Sequence, residues 1–166
     1  MSPLHDCILE ELVAPVQDFL RSAGQLILAA EEAGFEIEKK SDKNYVTEVD
    51  LAVQKQIVDQ LANLTPGFAI MAEEEDLDDP VRDQPVWILD PVDGTTNLMR
   101  HNQHSAISLA LADGDEVLLG FVYNPFLDEL FTAIRGQGVT LNDRPVRASS
   151  IDHLKDSLIS FGTNPY

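Results

Sequence analysis

The chain has 166 residues, 44% hydrophobic and 24% charged, which is the balance of a soluble globular protein able to bury a core, with one domain as the default. Asp and Glu number 29 against 11 Lys and Arg, so the formal charge of −18 argues against nucleic acid or an anionic membrane as partner. An anionic substrate would require bound cations to reverse the local sign.

The N-terminal "MSPLHDCILEEL" has neither a basic n-region nor a long apolar h-region, and no apolar stretch approaches the roughly 20 residues of a membrane span. A soluble, cytoplasmic protein is the expectation. Cys7 is the single cysteine, which rules out an internal disulfide or a thiolate metal site.

From about Leu4 to Ala33, Ile8, Leu12, Val16, Phe19, Leu20, Ala23, Ile27 and Ala30 recur near helical spacing. A long amphipathic helix is predicted, with Pro15 kinking or splitting it and Gly34 stopping it. A second helix begins near Thr47 to Asp50, with Val49, Val53, Ile57 and Leu61 on one face, and ends at "TPG", Thr65 to Gly67. "FAIMAEEE" and "PVWILD" then read as short strands, with the acidic "EEEDLDDPVRDQ" as a loop. From His104 onward, strand-like segments alternate with Asp-Gly, Asn-Pro, Arg-Gly and Asn-Asp turn signals, which predicts an antiparallel meander. The layout is α+β, with N-terminal helices packed against one face of an antiparallel sheet.

The chemistry concentrates in "WILDPVDGTTN", Trp87 to Asn97. Asp90 ends an apolar run, and burying its carboxylate without a partner costs on the order of several kcal/mol. Asp93 cannot be that partner, because two close carboxylates repel. With no Lys or Arg between Trp87 and Met99, a hard divalent cation with oxygen ligands is the economical answer. Pro91 is expected to interrupt the strand and turn both carboxylates and the Val92 carbonyl toward one point. Gly94 permits a tight turn, and Thr95 and Thr96 can begin a short helix with N–H groups directed at an anion. Asp-Pro and Asp-Gly each also fit an ordinary hairpin turn, but the parts of the whole string agree on one site.

That string resembles the signature of the inositol monophosphatase family, lithium-sensitive, magnesium-dependent phosphatases of small phosphate monoesters. "NYVTEVD" (Asn44 to Asp50) resembles the family's Val-Thr-x-x-Asp segment, "MAEEE" its Gly-Glu-Glu motif, and "GFVYNPFLDELFTAIRGQGVTLNDRPVRAS" its strand meander. The resemblance implies a sugar-phosphatase-like layered sandwich. It also implies two or three Mg²⁺ ions, with Glu73, Asp90 and the Val92 carbonyl at a first site and Asp90 and Asp93 at a second. Glu73 and Thr95, the latter hydrogen-bonded to Asp50, would activate water for direct in-line attack on phosphorus. Asp93, Gly94, Thr95 and Thr96 would bind substrate, with the Gly94 and Thr95 amides on the phosphate.

The sequence departs from the family pattern at Ala72, where Gly is usual, and Glu73, Glu74 and Glu75 leave the metal ligand open by one position. Leu98, Arg100 and Gln103 stand where an aromatic, His and Pro are usual. The family continues beyond the equivalent of Tyr166 through a second α/β half, so residues 1–166 are expected to be its N-terminal, metal-binding part. Thr96 and Asn97 favour the inositol-phosphate branch, with fructose bisphosphate or nucleotide bisphosphate as alternatives. The resemblance further implies a small phosphorylated metabolite as partner and a homodimer in the full-length form. A catalytically silent metal-binding or dimerising fragment is the reading of a different class. "EEEDLDDPVRDQ" fails as a calcium loop, since counting from Asp76 puts Pro80 fifth and Trp87 twelfth. His101 and His104 lack a third ligand nearby and read as surface or loop residues, and Lys39, Lys40 and Lys43 as a solvated basic cluster.

Overall fold

The computed structural model describes residues 6–33, 37–39, 45–72 and 84–160. Helix α1 (Asp6–Ala33) runs unbroken through Pro15, so the predicted split does not occur. Proline removes one backbone donor and crowds the preceding turn, but Pro15 sits on the exposed side. The stripe of Leu12, Val16, Phe19, Leu20, Ala23 and Ile27 is buried on both sides of it, which holds the helix together by tertiary contact. Leu9 and not Ile8 begins that stripe: Leu9 is 2% exposed and Ile8 40%.

Helix α2 (Glu48–Leu64) buries Val49, Val53, Ile57 and Leu61, as their spacing predicts, and adds Asp50 and Gln54 to the buried face. It follows directly on β2 (Tyr45–Thr47), which pairs antiparallel with β1 (Ile37–Lys39) in a small separate sheet. That pair has no strong alternating pattern and was not expected from the sequence.

The main sheet has seven strands in chain order: β3 (Ala69–Ala72), β4 (Val86–Asp93), β5 (Ala106–Asp113), β6 (Glu116–Asn124), β7 (Glu129–Ile134), β8 (Gly138–Leu141) and β9 (Arg144–Val146). From β4 onward every pairing is antiparallel, the predicted meander. The expectation of a purely antiparallel sheet needs correction, because β3 runs parallel to β4 and the sheet is mixed. A parallel neighbour requires a connection that returns to the same end of the sheet, and the segment between Ala72 and Val86 has the length for it.

Helices α1 and α2 cover one face. Trp87, Leu89, Leu109, Leu111, Leu119, Phe121 and Tyr123 form the core with them, each 2% exposed or less. The Trp87 indole donates to Thr65 Oγ1 at 3.0 Å, and that hydroxyl donates to the Leu61 carbonyl at 3.1 Å, which ties the C-terminal end of α2 to β4. Gly24 lets α1 meet β6: a Cβ there would lie 2.5 Å from Tyr123 Cε1 and 3.0 Å from Pro125 Cβ. The opposite face leaves Ile88, Val122 and Phe131 exposed. No helix among the described residues is long and apolar enough to cross a membrane.

Candidate active site at the end of strand β4

Residues three apart on a regular strand point to opposite faces, which would separate Asp90 from Asp93. The structure removes that obstacle with a β-bulge. Asp90 pairs with Ser108 and Asp93 with Ala106, so β4 uses one more residue than β5 between the two pairs. The extra residue cancels one alternation, and burial follows: Trp87, Leu89, Pro91 and Val92 are buried, Ile88 and Asp93 exposed and Asp90 half-buried. Both carboxylates therefore share the side of the sheet away from the helices.

Pro91 does not interrupt the strand, as the sequence suggested; β4 continues through it to Asp93. Among the described residues the register with β3 ends at Leu89, so no described pairing on that side asks Pro91 for a backbone donor. The bulge, and not the proline alone, brings the acids together.

Gly94 then turns the chain. Its φ of 89° and ψ of 39° lie in the left-handed region, where a side chain is disfavoured. The space is also closed, since a Cβ would come within 2.9 Å of the His104 carbonyl oxygen and 3.2 Å of Asn97 Nδ2. Thr95 opens the short helix α3 (Thr95–Met99), anchored in the core by Leu98 at 1% exposure. Thr96 is half-buried beside it. A concavity of about 500 Å³ opens next to Asp93 and Gly94, bounded by Asn97, Ser105, Val122 and Phe131 on the uncovered side of the sheet.

Helix α2 brings Asp50, 3% exposed, to Thr95. Thr95 Oγ1 lies 3.4 Å from Asp50 Oδ1 and 3.0 Å from the Val92 carbonyl oxygen. A hydroxyl has a single proton, and the shorter contact to Val92 takes it. The Val92 carbonyl still has a second lone pair for another partner.

The donors gathered here are all oxygens, the set preferred by a hard divalent cation such as Mg²⁺ and not by a soft metal. Asp90, Asp93 and the Val92 carbonyl fit that requirement in kind. No group of three or more acidic, histidine or cysteine side chains able to hold a metal stands together among the described residues. Glu73, Glu74 and Glu75 lie outside those residues, as do Lys40, Lys43 and most of the acidic loop. His101 and His104 are exposed on the turn after α3, where the sequence placed them. Ser105, 1% exposed, was not singled out. A lone serine before an apolar strand carries no signal that it faces a bend eleven residues earlier.

Two helices on one face of a mixed sheet, with an acidic bulge and a glycine turn at the end of β4, define a layered α+β fold with an oxygen-donor site. The chain belongs to the inositol monophosphatase family, whose model matches residues 8–164. It is 33% identical to the inositol monophosphatase of Dictyostelium discoideum over 160 residues, covering 95% of this chain and 59% of that protein. It is 34% identical to Nus factor SuhB of Escherichia coli strain K12 over 144 residues, covering 86% of this chain and 54% of that one. The crystal structure of the extragenic suppressor protein suhB from Bartonella henselae superposes with a TM-score of 0.79 at 31% identity, over 85% of this chain and 55% of that chain. The chain thus spans somewhat more than half the length of the relatives it matches.

Proposed function

We propose that this chain is the metal-binding part of a Mg²⁺-dependent phosphomonoesterase, with inositol 1-phosphate as the substrate. The observation that carries the reading is the β4 bulge, which puts Asp90 and Asp93 on one side of the sheet beside the Gly94 turn. Asp90, Asp93 and the Val92 carbonyl, with Glu73, would hold Mg²⁺, which supplies an activated water and neutralises phosphate charge. Thr95, its hydroxyl donating to the Val92 carbonyl and lying 3.4 Å from Asp50 Oδ1, would orient the attacking water together with Glu73. The amides of Gly94 and Thr95 would hold the phosphate, with Asp93 and Thr96 also binding substrate. Charge reversal by the cation is what lets an anion approach a chain of formal charge −18.

The Dictyostelium relative's name supports inositol phosphate as the substrate class. Fructose bisphosphate and nucleotide bisphosphate share the reacting group and are the competing substrates. The full-length form is proposed to be a cytoplasmic homodimer. The second reading, a catalytically silent metal-binding module, is favoured by the exposed apolar sheet face at Ile88, Val122 and Phe131.

The deciding experiment measures phosphate release from inositol 1-phosphate by the 166-residue chain with and without Mg²⁺, beside Asp90→Asn. Metal-dependent release lost in the variant establishes the phosphatase. Mg²⁺ binding by calorimetry without release supports the silent module. Unchanged Mg²⁺ affinity in Asp90→Asn refutes the metal site in both readings.

A further inference from the structure

Ser105 lies in the segment between α3 and β5, outside the residues named for the chemistry. Its hydroxyl is buried and donates to the Gly94 carbonyl oxygen at 2.9 Å. The same oxygen accepts the amides of Asn97 at 2.8 Å and Leu98 at 3.1 Å. Across the bend, Asn97 Nδ2 donates to the His104 carbonyl at 2.7 Å, so the two segments are tied in both directions. Ser105 is the member of this set whose hydrogen bond to Gly94 comes from outside α3.

The consequence follows from peptide geometry. The Gly94 carbonyl and the Thr95 N–H belong to one planar unit and point in opposite directions. Three donors hold the carbonyl toward α3 and Ser105, so the Thr95 N–H is aimed away from them, out of the bend. Gly94 has the softest backbone in the segment, because glycine occupies φ of either sign at little cost. A pin from outside the helix keeps that plane from rotating.

We infer that Ser105 is a positioning residue that holds the Gly94–Thr95 peptide plane and thereby aims the Thr95 amide at the phosphate. This rests on the proposed function for the identity of the anion. The Ser105 hydroxyl donates to the Gly94 carbonyl and to none of the residues named for the metal, so its loss separates anion binding from cation binding. A general structural role would weaken both together.

The test titrates the full chain and its Ser105→Ala and Ser105→Thr variants by calorimetry, first with Mg²⁺ alone and then with inorganic phosphate at saturating Mg²⁺. Amide resonances of Gly94 and Thr95 and thermal unfolding are followed in parallel. In Ser105→Ala, phosphate is expected to bind about tenfold more weakly, the loss of one hydrogen bond to a buried acceptor. Mg²⁺ affinity stays within about twofold, set by carboxylates the substitution does not touch. The Thr95 resonance shifts while those of β6 and β7 do not, and Ser105→Thr, which keeps the hydroxyl, recovers phosphate binding.

Phosphate affinity in Ser105→Ala equal to the parent's, or phosphate and Mg²⁺ affinities falling together with the melting temperature, would overturn the inference. If Ser105→Thr proves too crowded to fold, the alanine variant's split between the two ligands still decides. A parent chain that binds neither ligand refutes the proposed function instead. The Thr95 resonance then settles Ser105 alone: a shift upholds the positioning, and no shift overturns it.

Discussion

Gly94→Ala separates two costs that the bend combines. The first is conformational: at φ 89° an L-residue sits in the left-handed region, a penalty of about 1–2 kcal/mol. The second is steric, because the new Cβ would lie 2.9 Å from a backbone oxygen and 3.2 Å from Asn97 Nδ2, and the backbone atom cannot swing aside. Such overpacking costs about 1–3 kcal/mol. The expected total is about 2–5 kcal/mol. Gly114→Ala provides the comparison, since Gly114 also has positive φ, 59°, but a Cβ there meets nothing within 4 Å; its cost should stop near the conformational value of about 1–2 kcal/mol. Urea unfolding of the parent and both variants reads the difference directly as a shift in midpoint at constant slope. Equal destabilisation by the two substitutions would refute the claim that His104 and Asn97 crowd Gly94. An unchanged midpoint in Gly94→Ala would refute the bend itself.

Trp87→Phe removes the indole donor to Thr65 and part of a fully buried side chain, so a loss of about 2–4 kcal/mol in unfolding free energy is expected; a loss under about 0.5 kcal/mol, the range of ordinary surface changes, would show that the contact does not form. In an otherwise complete enzyme, Thr95→Ala should mainly lower kcat through lost water positioning, and an unaltered kcat removes Thr95 from the mechanism. Burial, and then the nearby Asp128 carboxylate, push the Tyr123 phenol above its usual range, partly opposed by Arg21. A phenol whose folded pKa is raised contributes full stability below its unfolded pKa of about 10 and loses it as the pH rises through the folded value. Urea midpoints measured across that alkaline window should therefore fall less steeply in Tyr123→Phe than in the parent, and parallel profiles would contradict the assignment.

Much of the fold was legible in the chain because it rests on local periodicity. The apolar spacing of Val49, Val53, Ile57 and Leu61 is the buried face of α2, and turn residues punctuate β5 to β9 where the hairpins form. Leu9 in place of Ile8, and the continuity of α1 through Pro15, depend on which neighbours cover the helix. No local pattern carries that information. The parallel pairing of β3 with β4 is equally non-local.

At the site, residue chemistry by itself selected Asp90, Asp93 and Gly94, because a buried acid needs a partner and a tight bend needs a glycine. Alternation along a strand, read from the same residues, would have put the two acids on opposite faces. The register against β5 decided otherwise, through a single bulged residue. Asp50 and Ser105 reach the site from α2 and from the flank of β5. Sequence thus determined which groups are available, while their shared side of the sheet and the orientation of the Gly94–Thr95 peptide were decided by the tertiary structure, because strand register and long-range hydrogen bonds exist only between segments distant in the chain.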